Sequence, residues 1–212
     1  MQLLIDGDAS AESTYLMAHG AGSGMDTAWM NQMVALLVSR GIRVVRFEFG
    51  YMAARRDGLR KPPPRAESVA GEYRDAVAET RPTLPDGGRL LIGGKSMGGR
   101  VASLVADELS DAAAISGLVC LGYPFHPPEK PQQLRTAHLL ELRTPTLICQ
   151  GTRDPFGTVA DVAGYALSRA IELHWLEDGD HDLRPRKAIS GRTFAQNLAV
   201  AADAVAVFAA AR

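Results

Sequence analysis

Short apolar runs recur along this chain, each followed by a longer amphipathic stretch, and that alternation restricts the fold more than any other feature. The runs STYLMAH, IRVVRFEF, RLLIGG, ISGLVCLG, TPTLICQG and IELHWLE are nearly continuous in apolar residues. A strand with one wet face alternates apolar and polar side chains, whereas a continuous run marks a strand covered on both faces. Between the runs, TAWMNQMVALLVSRG places Trp29, Met33, Leu36, Leu37 and Arg40 at helical spacing and stops at Gly41. Further helices are predicted over 68–80, MGGRVASLVADEL, TVADVAGYALS and TFAQNLAVAADAVAVFAAA, and ARRDGLRKPPPRAE reads as a basic, proline-rich loop. Strands that alternate with helices pair in parallel through right-handed crossovers. The expectation is a three-layer α/β sandwich on a mostly parallel sheet of six to seven strands, one domain over residues 1–212. In open sheets of this kind the site lies beyond the carboxyl ends of the strands.

Composition narrows the function classes. With 212 residues and a net charge of −1, the chain has no basic excess for general nucleic-acid binding. No apolar run approaches the roughly 20 residues that span a bilayer. The beginning, MQLLIDGDAS, meets acidic and polar residues too soon for a signal peptide, so a cytoplasmic location is expected. Cys120 and Cys149 sit in apolar runs and read as reduced core thiols. They have no close His or Cys partners of the kind a metal site needs. The reading calls for no metal, no cofactor, and no nucleic-acid or membrane partner.

The segment GGKSMGGR, Gly93 to Arg100, joins a strand to a helix. A phosphate loop would need glycine five residues before the final glycine of its GKS, where Arg89 stands, and the intervening RLLI is strand-like. The alternative pattern is G-x-S-x-G: Gly94, Lys95, Ser96, Met97, Gly98. There a serine sits on a sharp strand-to-helix turn that tolerates only small residues two before and two after. Ser96 is therefore the candidate nucleophile.

A serine hydroxyl needs a base, and the base needs an orienting acid. Of the histidines after Ser96, His174 lies inside a strand run, His138 in the helical-looking TAHLLEL, and His126 in YPFHPPEKP where it could line the site. His181 follows the last strand run in EDGDHDL, where a base belongs. Asp154 follows Gly151 in LICQGTRDPFG and is the candidate acid, although Asp before Pro155 also favours a turn. Glu177, Asp178, Asp180 and Asp182 read as solvated or capping residues. An oxyanion hole needs two backbone N–H groups. Met97 supplies one, and the glycine-rich HGAGSGMD loop the other, through Ala21 or, as second choice, Gly22. His19 is read as a brace of that loop and Asp26 as the cap of the following helix.

Taken together, HGAGSGMD, VVRFEFGYMAARR, GGKSMGGR, GLVCLGYPFHPPEKP, LRTPTLICQGTRDPFG and LHWLEDGDHDLRPRK resemble the small, lidless α/β-hydrolases of bacteria. These are related to the testis-expressed and nonspecific-lethal-complex hydrolase-like proteins and lie near the dienelactone hydrolases. The resemblance covers nearly the whole chain. It implies an α/β-hydrolase fold and a Ser–Asp–His triad on Ser96, Asp154 and His181; the chain departs from the pattern in having only about a dozen residues before TYLMAHG, which cuts down the usual first hairpin. A serine hydrolase of carboxylic esters or thioesters is expected; a hydrolase-shaped interaction module without turnover is the competing class.

The stretch between Gly122 and Thr144 is too short for an independent cap, which predicts an open site. Met25, Tyr51, Met97, Tyr123, Phe125 and Phe156 could wall it or simply pack. Arg46, Glu48, Arg55, Arg56, Lys95, Arg184, Arg186 and Lys187 fall near the site loops. They read either as a solvated rim with internal pairs, Lys95 with Glu48 for example, or as a basic funnel for an anionic ester or acyl substrate.

Overall fold

The computed structural model describes residues 1–59 and 61–212; Arg60, in the basic loop, lies outside the described residues. The elements run β1 (Leu3–Asp6), β2 (Ser13–Ala18), α1 (Ala28–Val38), β3 (Ile42–Phe47), α2 (Gly50–Arg56), α3 (Ala70–Thr80), β4 (Arg89–Lys95), α4 (Met97–Asp111), β5 (Gly117–Leu121), β6 (Thr146–Gly151), α5 (Val159–Val162), β7 (Ile171–Leu176), α6 (Lys187–Ser190) and α7 (Phe194–Ala210). Among the described residues, seven strands form one sheet in the order β1-β3-β2-β4-β5-β6-β7, and only β1 runs antiparallel, against β3.

Four of the apolar runs form strands for the reason anticipated, β2, β3, β5 and β6 being buried at every position, whereas β7, read the same way, is an edge strand with only Leu176 buried. One face packs Met30, Met33 and Leu37 of α1 and Leu198, Ala201 and Val205 of α7 against Tyr15, Val44 and Leu147. The other packs Tyr73 and Val77 of α3 and Val101, Ala102 and Val105 of α4 against Leu16, Ile92 and Cys120. The Tyr73 hydroxyl enters the sheet, where it accepts from Gly93 N–H at 2.7 Å and lies within hydrogen-bond reach of the carbonyls of Leu16 and Gly93. Cys120 and Cys149 are both buried and free. Burial pushes both thiols up, Cys149 to about 12.

Several elements differ from the sequence reading. Residues 54–56, read as loop, belong to α2, whose first turn follows Phe49 without a side-chain cap. TVADVAGYALS forms only the single turn α5, held by a Thr158–Asp161 capping box, before the chain turns away. Asp26 does not cap α1: Thr27 does, accepting from Met30 N–H, while Asp26 pairs with Arg56 at 3.0 Å. Between Gly122 and Thr146 the only helical piece is a 3₁₀ turn at Ala137–Leu139, so nothing caps the sheet there. Among the described residues, no helix is long and apolar enough to cross a membrane.

Candidate active site

Ser96 sits between β4 and α4 with φ 51° and ψ −115°, a left-handed conformation that L-residues avoid. The glycines around it are required by the neighbouring strand. A Cβ on Gly94 would lie 2.2 Å from the carbonyl oxygen of Ala18 in β2, and one on Gly98 would lie 2.6 Å from the same oxygen. At both positions a side chain would collide with the main chain of β2. Ser96 N–H donates to Leu121 O at 3.0 Å, which ties the turn to the end of β5.

The carboxyl ends of β4, β6 and β7 bring the three predicted side chains together. Ser96 Oγ lies 2.8 Å from His181 Nε2, and His181 Nδ1 lies 2.9 Å from Asp154 Oδ2. Asp154 is fully buried. Its Oδ1 accepts from Phe156 N–H at 2.9 Å, so the turn reading and the site reading describe the same residue. Its Oδ2 also accepts from Gln150 Nε2 at 2.9 Å. With a donor already on Oδ2, His181 Nδ1 fits the pair as its donor, which leaves Nε2 free to accept from the serine hydroxyl.

Gln150 was not singled out from the sequence. It is the one amide in the apolar run TLIC-Q-G and is wholly buried. Its Oε1 accepts from Tyr123 N–H at 2.7 Å, and its Nε2 also reaches the carbonyls of Tyr123 and Gly157. The amide therefore joins the β5 and β6 loops to the carboxylate. A lone polar residue in a central strand must find partners, and that is the sequence signal by which it could be found.

The histidine loop is fixed from several sides. Lys95 is almost fully enclosed; its Nζ donates to His181 O at 2.6 Å and pairs with Asp182 at 3.3 Å. Burial pushes the Lys95 ammonium below its usual range, opposed by Asp182 and Asp154. Trp29 Nε1 donates to Asp182 O at 2.9 Å, and Asp180 Oδ1 accepts from the N–H groups of Asp182 and Arg184. Asp178 pairs with Arg186 and Arg153, and hydrogen bonds from Arg186 hold its carboxyl down to about 2. The Phe156 ring lies 4.2 Å from the imidazole, tilted by 33°.

The glycine-rich loop runs beside Ser96. His19 is buried; its Nε2 accepts from Phe49 N–H at 3.1 Å, and its Nδ1 lies 2.7 Å from Gly20 O, so it braces the loop and takes no place near Ser96 Oγ. Burial lowers its pKa. Glu48 accepts from Met25 N–H at 3.1 Å and from Arg56 at 2.7 and 2.8 Å. Burial opposes its charge, yet these hydrogen bonds outweigh that and hold its carboxyl below the usual range. The predicted Lys95–Glu48 pair is thus replaced by Glu48–Arg56 and Lys95–Asp182. Arg46 pairs with Asp6 at 2.7 Å and Arg186 with Asp178, so much of the charge named as a rim is internally matched.

A cavity of about 690 Å³ opens beside Ser96, with Ala21, Met97, Pro124 and Phe156 among its walls. Gly22 is exposed and is not one of those walls, nor are Met25, Tyr123 and Phe125, which are core. Tyr51 stands behind the wall, its hydroxyl donating to Ala21 O at 3.0 Å. Met97 is the first residue of α4, so its N–H has no acceptor within the helix. His126 is buried with Asp161 3.8 Å away, and His138 meets Ser103 Oγ at 2.8 Å; neither reaches Ser96. Among the described residues no cluster of His, Cys, Asp and Glu could hold a metal.

Residues 11–210 match the family model described as alpha/beta hydrolase domain. Among solved structures, a lidless α/β serine hydrolase from Xanthomonas campestris superposes with a TM-score of 0.72 at 17% identity, over 98% of this chain and 88% of that one. A dienelactone hydrolase from Anabaena variabilis gives 0.71 at 18% identity, over 97% and 89%. The esterase domain of a Rhodothermus marinus protein gives 0.64 at 17%, over 97% and 90%. At such identities the likeness carries the fold.

Proposed function

Since the chain belongs to the alpha/beta hydrolase family, we propose that it is a serine hydrolase of carboxylic esters or thioesters, acting as one catalytic domain through an acyl-enzyme on Ser96. The observation that carries this reading is the unbroken relay from Ser96 Oγ through His181 to Asp154, at 2.8 and 2.9 Å. Within the family, the motif set argues for the small lidless branch akin to the testis-expressed and nonspecific-lethal-complex hydrolase-like proteins.

His181 Nε2 takes the hydroxyl proton as Ser96 Oγ bonds to the acyl carbon. The charge on the former carbonyl oxygen falls to the N–H groups of Met97 and Ala21, with the positive end of α4 behind Met97. Collapse of the tetrahedral adduct breaks the bond to the alcohol or thiol, which leaves with the proton from His181. Water then attacks the acyl-enzyme, His181 accepts its proton, and the carboxylic acid departs as Ser96 regains its hydrogen. Asp154 holds the imidazole in the required tautomer, and Gln150 holds Asp154.

A fluorophosphonate probe tests the reading. The wild type becomes labelled and Ser96→Ala does not, while both unfold at the same urea concentration. A folded wild type that takes no label and cleaves none of a panel of short p-nitrophenyl esters and thioesters would leave the architecture standing without turnover.

A further inference from the structure

The charges that face the cavity are not the ones paired around the strand ends. Arg65, Arg100 and Arg135 share its wall with Ser96, against a single acid, Glu67. Glu67 is already engaged by Arg100. Arg135 has no carboxylate within 4 Å among the described residues, although the main-chain groups on either side of its side chain are fixed: its N–H donates to Phe125 O at 2.8 Å, and its carbonyl accepts from the Tyr123 hydroxyl at 3.1 Å. Its backbone is thus anchored, and its half-buried guanidinium has no carboxylate partner among the described residues. Burial and the neighbouring Arg100 both push its pKa down, the signature of a cation short of a counter-charge. Arg65, which lines the cavity with Pro63 and Pro64, also has no acidic partner among the described residues. Other arginines without an acidic partner among the described residues, such as Arg43, Arg81 and Arg184, do not line this cavity, whereas Arg65 and Arg135 are both unpaired and part of its wall.

We propose that this cavity selects substrates whose acyl chain ends in a carboxylate, gripped by Arg135 with Arg65 while the ester carbonyl lies against Ser96. The proposal rests on the serine-hydrolase reading and specifies its substrate class. A planar guanidinium in a partly desolvated wall suits a carboxylate, which it can meet with two parallel N–H bonds. The apolar residues that line the same cavity, Met97, Pro124, Leu134 and Phe156, suit a methylene chain. A cavity of about 690 Å³ has room for a chain of several carbons. The specificity so assigned does not use Arg46, Arg56 or Arg186, because their charges are already matched.

The experiment compares p-nitrophenyl hydrogen adipate with p-nitrophenyl hexanoate, which have the same chain length and differ by the terminal charge. The expected result is a wild-type kcat/KM ratio that favours the adipate and declines as NaCl is raised. In Arg135→Gln that ratio falls by about tenfold or more, as loss of a hydrogen bond to a charged group implies, with a smaller fall in the exposed Arg65→Gln. An adipate-to-hexanoate ratio that is insensitive to salt and the same in both variants as in the wild type overturns the proposal while the hydrolase stands. Should Arg135→Gln fail to fold, the salt response and Arg65→Gln decide by the same criteria. If neither ester is cleaved and Ser96 takes no fluorophosphonate, the hydrolase reading falls, and this one with it.

Discussion

Lys95→Met removes a cation that touches the base only through its main chain, and the structure gives separate expectations for folding and for rate. The substitution deletes the 2.6 Å bond from Nζ to His181 O. A hydrogen bond from a charged donor contributes about 1.5–3 kcal/mol. It also deletes the pair with Asp182, whose side chain is 62% exposed; such a pair contributes about 0–1 kcal/mol. Against these losses stands the desolvation of an ammonium whose side chain is only 9% exposed, a cost of several kcal/mol that methionine avoids at similar volume. The opposing effects leave global stability within about 2 kcal/mol of the wild type. The rate does not share that cancellation. Without Lys95 the carbonyl of His181 loses its anchor, and a displacement of about 1 Å at a catalytic group can cost about 10²-fold. The expectation is a kcat 10- to 100-fold lower with KM little changed and the urea midpoint nearly constant. Lys95→Arg, which keeps a donor at that depth, recovers part of the loss. Steady-state hydrolysis of a neutral p-nitrophenyl ester, set beside urea denaturation of the same preparations, checks this. A kcat within twofold of the wild type, or a loss no larger than the unfolded fraction explains, would refute the argument that Lys95 positions the base.

Two further perturbations read other parts of the design. Gly94→Ala would set a Cβ 2.2 Å from a main-chain oxygen of β2, at φ +150° and with no flexible side chain to yield. A destabilisation above about 3 kcal/mol in urea unfolding is expected from strain and overpacking together, and a variant as stable as the wild type would show that the strands separate easily. His138 is the second case: burial, followed by Arg100, lowers its pKa from 6.5 to about 4. Because the folded ring stays neutral while the unfolded chain takes up a proton below 6.5, its contribution is complete above that pH and is lost as pH falls towards 4. For this half-buried ring the loss is about 1–2 kcal/mol after discounting for solvent. His138→Gln should therefore narrow the gap in urea midpoint between pH 7 and pH 4.5, and an unchanged gap would place the titration elsewhere.

What could be read from the sequence follows from how local each determinant is. The turn at Ser96 is specified within five residues, by a strand run, two glycines that must lack a Cβ, and a helix that begins at once. Asp154 and His181 lie far apart in sequence, but each follows an apolar run at the edge where parallel strands end, so topology alone puts them near Ser96. The missed elements lacked such signals. Strand β1 is four residues long and only half covered, too short and too exposed to show a period. Helix α2 starts without a side-chain cap in a basic stretch. The Glu48–Arg56 pair depends on α2 existing, so reading that stretch as loop also sent Glu48 to the wrong partner. Gln150 announced itself only as a polar residue in an apolar run, and its role appears once β5 and β6 lie side by side.

The same reasoning explains why the sequence could mark a rim with internal pairs but not name the partners. Sequence position tells which charges stand near strand ends but not which of them find a partner, because pairing is decided by loops crossing from elsewhere in the chain. Arg46 and Asp6 meet only because β1 lies antiparallel on β3. Arg186 and Asp178 meet because the histidine loop folds back on itself. Once these pairs form, the field at the cavity is set by the charges left over, on two segments that the sequence marks only as proline-rich loops, 63–65 and 124–135. Those segments take the place that a cap would fill, and they face Ser96 without a helix or strand to constrain their sequence. On the proposed reading, the scaffold fixes where acyl transfer occurs, through main-chain positions that tolerate little change. If the proposed carboxylate grip holds, discrimination among acyl chains falls to the two loops: substitutions at Arg65 and Arg135 should alter which ester is chosen, whereas substitutions at Lys95 and Gln150 should alter how fast any ester reacts.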